Sequence, residues 1–195
     1  MQIRQLALHY RPEADRLLLR VNADDGQQFA VWFTRRLCAR LWPHLATIVT
    51  RIGFAHEVAQ TAPNAHLMPE AQEMLAQSAR ERALRNADFK TPFQDQASAH
   101  PLGTEPMLAT EVQLTPLPDG HLRLVIVDIT KRNVQLQLTE TLATAVKELM
   151  VKALRQADWG FMLEAVPTAG PDPAQGSPDG GDPSAQAALS RPVGC

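Results

Sequence analysis

An α+β fold of pseudo-duplicated β-β-β-α units, with antiparallel sheets packed against helices, is what the sequence predicts, and three observations predict it. Apolar and polar residues alternate through several short segments. Two threonines mark places where that alternation gives way to a helical period. A single offset of 105 residues lays Arg16–Ile52 on His121–Ala157 without a gap. At 195 residues and 45% hydrophobic content, the chain is long enough to bury a proper core.

The first expected strand is IRQLALHY, ahead of Arg11. The second carries Leu17, Leu19 and Val21, and the third carries Phe29, Val31 and Phe33. Period two puts each trio on one face of its strand, and the turn formers of NADDGQ between them predict a hairpin. Thr34 then precedes Leu37, Leu41, Leu45, Ile48 and Ile52, whose spacings of three and four make one helical stripe. Its hydroxyl suits an N-cap, where it accepts a bond from a first-turn amide. Pro43 is expected to remove a backbone bond and bend this helix, and Gly53 to end it as a C-cap. Residues 1–53 form the first unit.

Residues 54–103 read as a linker with a helix near 69–87, opened by Pro69 and thin in apolar residues. That helix is expected to cover a sheet edge or to cross between the halves. Residues 104–165 form the second unit. Its first strand is LATEVQLTPL, followed by the turn Pro118-Asp119-Gly120. Here the offset slips by one, so that Leu6 and Leu8 match Val112 and Leu114. Leu122, Leu124 and Ile126, then Val134, Leu136 and Leu138, repeat the inward positions of the first unit, and Thr139 repeats Thr34. Residues 166–195, rich in proline and glycine, read as a disordered tail ending in Cys195.

Net charge is −2, which excludes a simple basic nucleic-acid binder, yet residues 1–52 hold eight arginines against four acids. The strand faces opposite the expected core are partly apolar: Leu18 alternates with Arg16 and Arg20, Trp32 lies out of phase with Val31 and Phe33, and Val125 and Val127 follow Arg123. Such a face calls for a cover, either from the same chain or from a second copy. A third use is a surface on which Arg16, Arg20, Arg35, Arg36 and Arg40 contact phosphates while Trp32 stacks on an unpaired base. The second unit has Gln137, Glu140 and Thr141 in place of Trp32, Arg35 and Arg36, which confines that surface to the first half.

The two repeated segments resemble, at fold level, the strand–strand–strand–helix repeats of the Whirly-type group of single-strand DNA-binding regulators. That resemblance implies oligomers with strands laid beside a crossing helix. The run DRLLLRVNADDGQQFAVWFTRRLCARLWPHL is also similar to the opening half of an uncharacterised proteobacterial protein family, which implies a conserved domain and supplies no activity.

Motifs for chemistry are missing. His56-Glu57 opens HEVAQ, where the zinc-protease pattern needs a second histidine in place of Gln60. No glycine-rich phosphate loop follows a strand and no GxSxG elbow occurs. Asp24 and Asp25 lie in a turn, and Cys38 reads as a small buried apolar residue. No catalytic residue, cofactor or metal is therefore assigned, and Asp24, Asp25 and His56 are the least weak candidates of an enzyme reading. The expectation is a non-enzymatic homodimeric interaction or scaffold protein, with a single-stranded nucleic-acid-binding regulator as the alternative. Without a long apolar run or a secretory signal, no membrane partner is expected and the location is cytoplasmic.

Overall fold

The computed structural model describes residues 2–61, 68–88, 91–95 and 99–163. Its elements follow the order β1 (Ile3–Arg11), β2 (Arg16–Ala23), β3 (Gln28–Thr34), α1 (Arg35–Thr61), α2 (Pro69–Asn86), β4 (Met107–Pro116), β5 (Leu122–Asp128), β6 (Asn133–Leu138) and α3 (Glu140–Ala157). The β-β-β-α pattern is thus repeated, and the tail reading falls outside the described residues.

Within each unit the three strands form an antiparallel meander. The two meanders join through a short parallel pairing of β3 with β4, Val31 opposite Met107 and Trp32 opposite Leu108, into one sheet of order β1-β2-β3-β4-β5-β6. A parallel pair needs a long crossover, and here α1 and α2 supply it.

The repeat extends to fine detail. Leu6 faces Val21 and Leu8 faces Leu19; Val112 faces Ile126 and Leu114 faces Leu124. The one-residue slip comes from the first hairpin loops: Arg11 pairs with Arg16 around four residues, whereas Leu117 N–H donates to the His121 carbonyl around three. The same bulge occurs in both first strands, with Arg4 extra between Ile3 and Gln5 and Thr110 extra between Ala109 and Glu111. An extra residue bends a strand and increases its twist, so both units twist at the same place. Both N-caps form as expected: Thr34 Oγ1 accepts from Leu37 N–H at 3.2 Å, and Thr139 Oγ1 from Leu142 N–H at 3.3 Å.

The second hairpins share a backbone and differ in how they reach it. Gly26 has φ +79° and its counterpart Lys131 has φ +67°. Glycine enters this left-handed region freely, whereas a side chain is disfavoured there. The second unit compensates with Asp128, where the first has Ala23. Its Oδ1 accepts from Thr130 N–H at 2.8 Å and Arg132 N–H at 3.0 Å, and its Oδ2 from Arg132 Nε at 2.7 Å. Burial alone would raise this carboxyl's pKa, but the bonds from Thr130 and Arg132 outweigh it and the pKa falls.

One face of the sheet carries the core. Leu17, Leu19, Val21, Phe29, Val31 and Phe33 and their six counterparts in the second unit are all buried there, beneath α1 and α3. Each such side chain contributes about 1.5–3 kcal/mol by leaving water. The helices cross between units: α1, which follows β3, packs on β4, and α3, which follows β6, packs on β1. Neither unit closes its core without the other.

The reading of Gly53 as a C-cap is corrected. α1 runs on past it to Thr61, because Gly53 lies at the crossing with α2. A Cβ there would stand 3.4 Å from Ala79 Cβ and 3.6 Å from Glu140 Oε1. The missing side chain lets the helices approach. α1 also continues through Pro43. This residue and Ala39, whose carbonyl loses its helical partner, are both exposed, so water can satisfy that carbonyl. α2 covers no sheet edge. It lies on α1 and α3 as an outer layer, with Ala79 and Ala83 buried at the contact.

Candidate interaction face

The opposite face of the sheet is where the singled-out strand residues gather. Register places them in three rows across the first unit: Ala7, Arg20 and Ala30; then His9, Leu18 and Trp32; then Arg11, Arg16 and Thr34. The middle row continues onto β4 through the Trp32–Leu108 pair. Leu18 is buried, Trp32 half-buried and Leu108 40% exposed. Ile129, 83% exposed, follows Asp128, the partner of Ala109, and so lies on the Leu108 side of that pair. The second unit continues the face with Val125 between Gln113 and Gln135, and Arg123 between Thr115 and Gln137.

Part of this face is covered by the chain itself. Residues 91–95, between α2 and β4, form a strap over the Arg20 row and the adjoining Gln5–Asn22–Gln28 row. Asn22 Nδ2 donates to the Gln94 carbonyl at 2.7 Å, Gln94 N–H donates to Gln5 Oε1 at 3.1 Å, and Gln5 Nε2 donates to the Pro92 carbonyl at 3.3 Å. Arg20 Nη1 meets both Asp95 oxygens, at 2.6 and 2.7 Å, and the Phe93 ring centroid is 4.4 Å from its guanidinium carbon. Arg20 holds the Asp95 pKa below its ordinary value, against the weaker opposing effect of burial.

The six expected surface residues are therefore not all brought together on one open surface. Arg20 is engaged by the strap. Arg35, at the start of α1, donates from Nη2 to the Trp159 carbonyl at 3.0 Å and fastens the segment after α3. Arg36 and Arg40 are exposed on the first turns of α1, off the sheet face. Arg16 and Trp32 remain together on the face, and Arg11 joins them as the cross-strand partner of Arg16. Among the described residues neither Arg11 nor Arg16 forms an ion pair, although the Arg11 charge also helps to lower the Asp95 pKa. His9, beside them, has a lowered pKa through partial burial and then the charges of Arg20, Arg11 and Lys152, which favours its neutral form.

Arg11, Leu108, Phe93 and Asp95 are the residues that sequence reasoning passed over. The alternation of β1 does place Arg11 on one face with His9, but nothing local shows which strand lies beside it. Phe93 and Asp95 sit in a segment with no period at all.

The other candidates have structural surroundings. His56 lies on α1, its Nε2 2.6 Å from Gln60 Nε2 and its Nδ1 3.7 Å from Glu140 Oε2. Asp25 Oδ1 accepts from Gln27 N–H within the turn, at 3.1 Å. Among the described residues no group of three or more His, Cys, Asp or Glu side chains is arranged to hold a metal. No described helix is long and apolar enough to cross a membrane. A cavity of about 20 Å³ lies between the halves, lined by the counterparts Leu19 and Leu124, Leu41 and Val146, and Leu45 and Met150. It is apolar and far below the hundreds of Å³ of a small-molecule site.

Cys38 is fully buried, and burial pushes its thiol pKa up to about 12. Because the thiolate is the reactive form, native protein at pH 8 is expected to show no Cys38 modification by an aromatic disulfide reagent within minutes. Prompt reaction in denaturant, followed at Cys38 by peptide mass mapping, completes the expected result; equal rates in both states would contradict the buried placement.

No family model matches the chain, and neither a curated protein nor a solved structure matches it.

Proposed function

We propose that the chain is a non-enzymatic, self-associating interaction protein that uses the strap-free part of its sheet face, a second copy covering the row Leu18–Trp32–Leu108. The single observation that carries this reading is that row, which crosses three strands and ends at the exposed Leu108 with Ile129 on its side. The surface that Trp32, Leu108 and Ile129 still expose brings a favourable transfer term when a partner covers it. A cytoplasmic setting suits the reading, since Cys38 is unpaired.

Light scattering on wild type over a hundredfold range of concentration is expected to show a mass rising toward twice that of the chain. Leu108→Lys combined with Ile129→Lys should hold it monomeric while circular dichroism stays unchanged. A wild-type mass equal to one chain throughout sinks the proposal.

A second reading is favoured by one specific observation: Arg11 and Arg16 form the row next to Trp32, giving paired guanidinium groups beside an aromatic ring. Such a surface suits a single strand of nucleic acid, with phosphates on the arginines and a base on the indole. Fluorescence anisotropy with single-stranded DNA and RNA is its test. Binding should weaken as salt rises, and Trp32→Ala should lower affinity roughly fivefold or more, by the worth of one stacked base.

A further inference from the structure

The strap offers the sheet the three kinds of group that a nucleotide offers. Asp95 brings an anion to Arg20, Phe93 lays a flat ring over the same guanidinium, and the main chain of Pro92 and Gln94 presents C=O and N–H groups to Gln5 and Asn22. Arginine planes take bases by stacking, and side-chain amides pair with base edges. From this we propose that Thr91–Asp95 is a built-in competitor, occupying a nucleotide-binding position on Arg20, Gln5 and Asn22 that a single-stranded polynucleotide takes by displacing it. The inference rests on the nucleic-acid reading of this face.

Two observations say that the strap is an imperfect occupant. Arg20 Nε is buried with no acceptor among the described residues, because both Asp95 oxygens crowd onto Nη1. A phosphate has oxygens enough to accept from Nε and Nη together. The Arg20 side chain is 19% exposed while that of Asp95 is 65% exposed, so the competing carboxylate sits on the solvent side of the pair. Ion pairs of that kind are weak and open readily. The position is also continuous with the open arginine row. Arg16 lies four residues back along β2, about 13 Å away at the rise of a strand, on the same face and beyond Leu18. One short strand of nucleic acid can then span Arg20, Trp32 and Arg16.

The test is anisotropy with fluorescein-labelled oligothymidylate and oligouridylate, on full-length wild type, Asp95→Asn, Phe93→Ala, Asp95→Asn with Arg20→Met, and Glu105→Gln as a control for net charge. Asp95→Asn is expected to tighten binding roughly three- to tenfold, and Phe93→Ala to act in the same direction. Adding Arg20→Met should remove the gain, and Glu105→Gln should leave affinity within about twofold of wild type. If wild type binds and Asp95→Asn binds no tighter, the competitor proposal is overturned while the nucleic-acid reading stands. An equal gain in Glu105→Gln, or a gain that survives Arg20→Met, also overturns it by showing a general charge effect. If neither wild type nor Asp95→Asn binds either oligonucleotide, both readings fail together.

Discussion

Leu45→Ala is expected to cost about 3–5 kcal/mol of unfolding free energy, near the top of the range for leucine-to-alanine changes. Leu45 is buried on α1, against the cavity between the halves. Alanine is the best helix former, so local propensity does not add to the loss. The removed methyl groups extend a void that already exists, and neighbours from both units, among them Leu124 and Met150, are held by their own elements and cannot close on it. Urea unfolding should show a lower midpoint with an unchanged slope. A loss below about 1 kcal/mol would mean that the site collapses freely, contrary to a rigid core shared by two units.

Arg82→Ala is the second large effect, about 2–4 kcal/mol, set below the value for a fully buried pair because Arg82 keeps some contact with water. Arg82 lies on α2 and donates from Nε to Glu57 Oε2 at 3.1 Å and from Nη2 to Glu140 Oε1 at 2.8 Å, joining α1, α2 and α3. Glu57 is only 8% exposed. Removing the guanidinium takes one shared cation away from two poorly hydrated carboxylates, which costs more than the pairs add. Replacing the whole group by Arg82→Met, Glu57→Gln and Glu140→Gln should therefore recover at least half of the loss, again by urea unfolding. If the triple variant is as unstable as the single one, stranded carboxylates are not the source of the loss. The neighbouring Arg80–Glu148 contact, with both bonds at 2.7 Å, braces the same layer from a more exposed position. Burial pushes the Glu148 pKa up, yet Arg80 outweighs it and holds the pKa below its ordinary value.

Strands, hairpins and both threonine caps were legible because each depends on residues close in sequence. Leu17–Leu19–Val21 shows its inward face by alternation alone, and Thr34 shows its cap by the change of period that follows. Even the one-residue slip at Leu6 and Val112 could be read, since register follows the apolar pattern. Gly53 was misread because glycine serves two purposes. It ends helices through a left-handed turn, and it also lets helices approach closely, and only the position of Ala79 decides between them. The β3–β4 join rests on two residue pairs and on no local signal. Of the interaction face, the phase of Trp32 and Arg16 was visible, whereas the Arg20–Asp95 contact joins residues 75 apart, farther than the length of a unit, and is fixed by where the chain returns after α2.

The crossed helices also bear on how the protein is made. Tyr10 on β1 packs edge-on against Trp159, and Asp15 accepts from both Tyr10 Oη at 3.0 Å and Trp159 Nε1 at 2.7 Å. On the ribosome, β1 emerges ahead of the other described elements, and α3, the helix it needs, emerges after all of them. The inward side chains of the opening meander must then wait through the synthesis of almost every other element before their own cover arrives, and pairings so distant in sequence form slowly. Nascent chains of this protein thus carry an open apolar sheet until α3 has been made, the interval in which a holding chaperone would matter most.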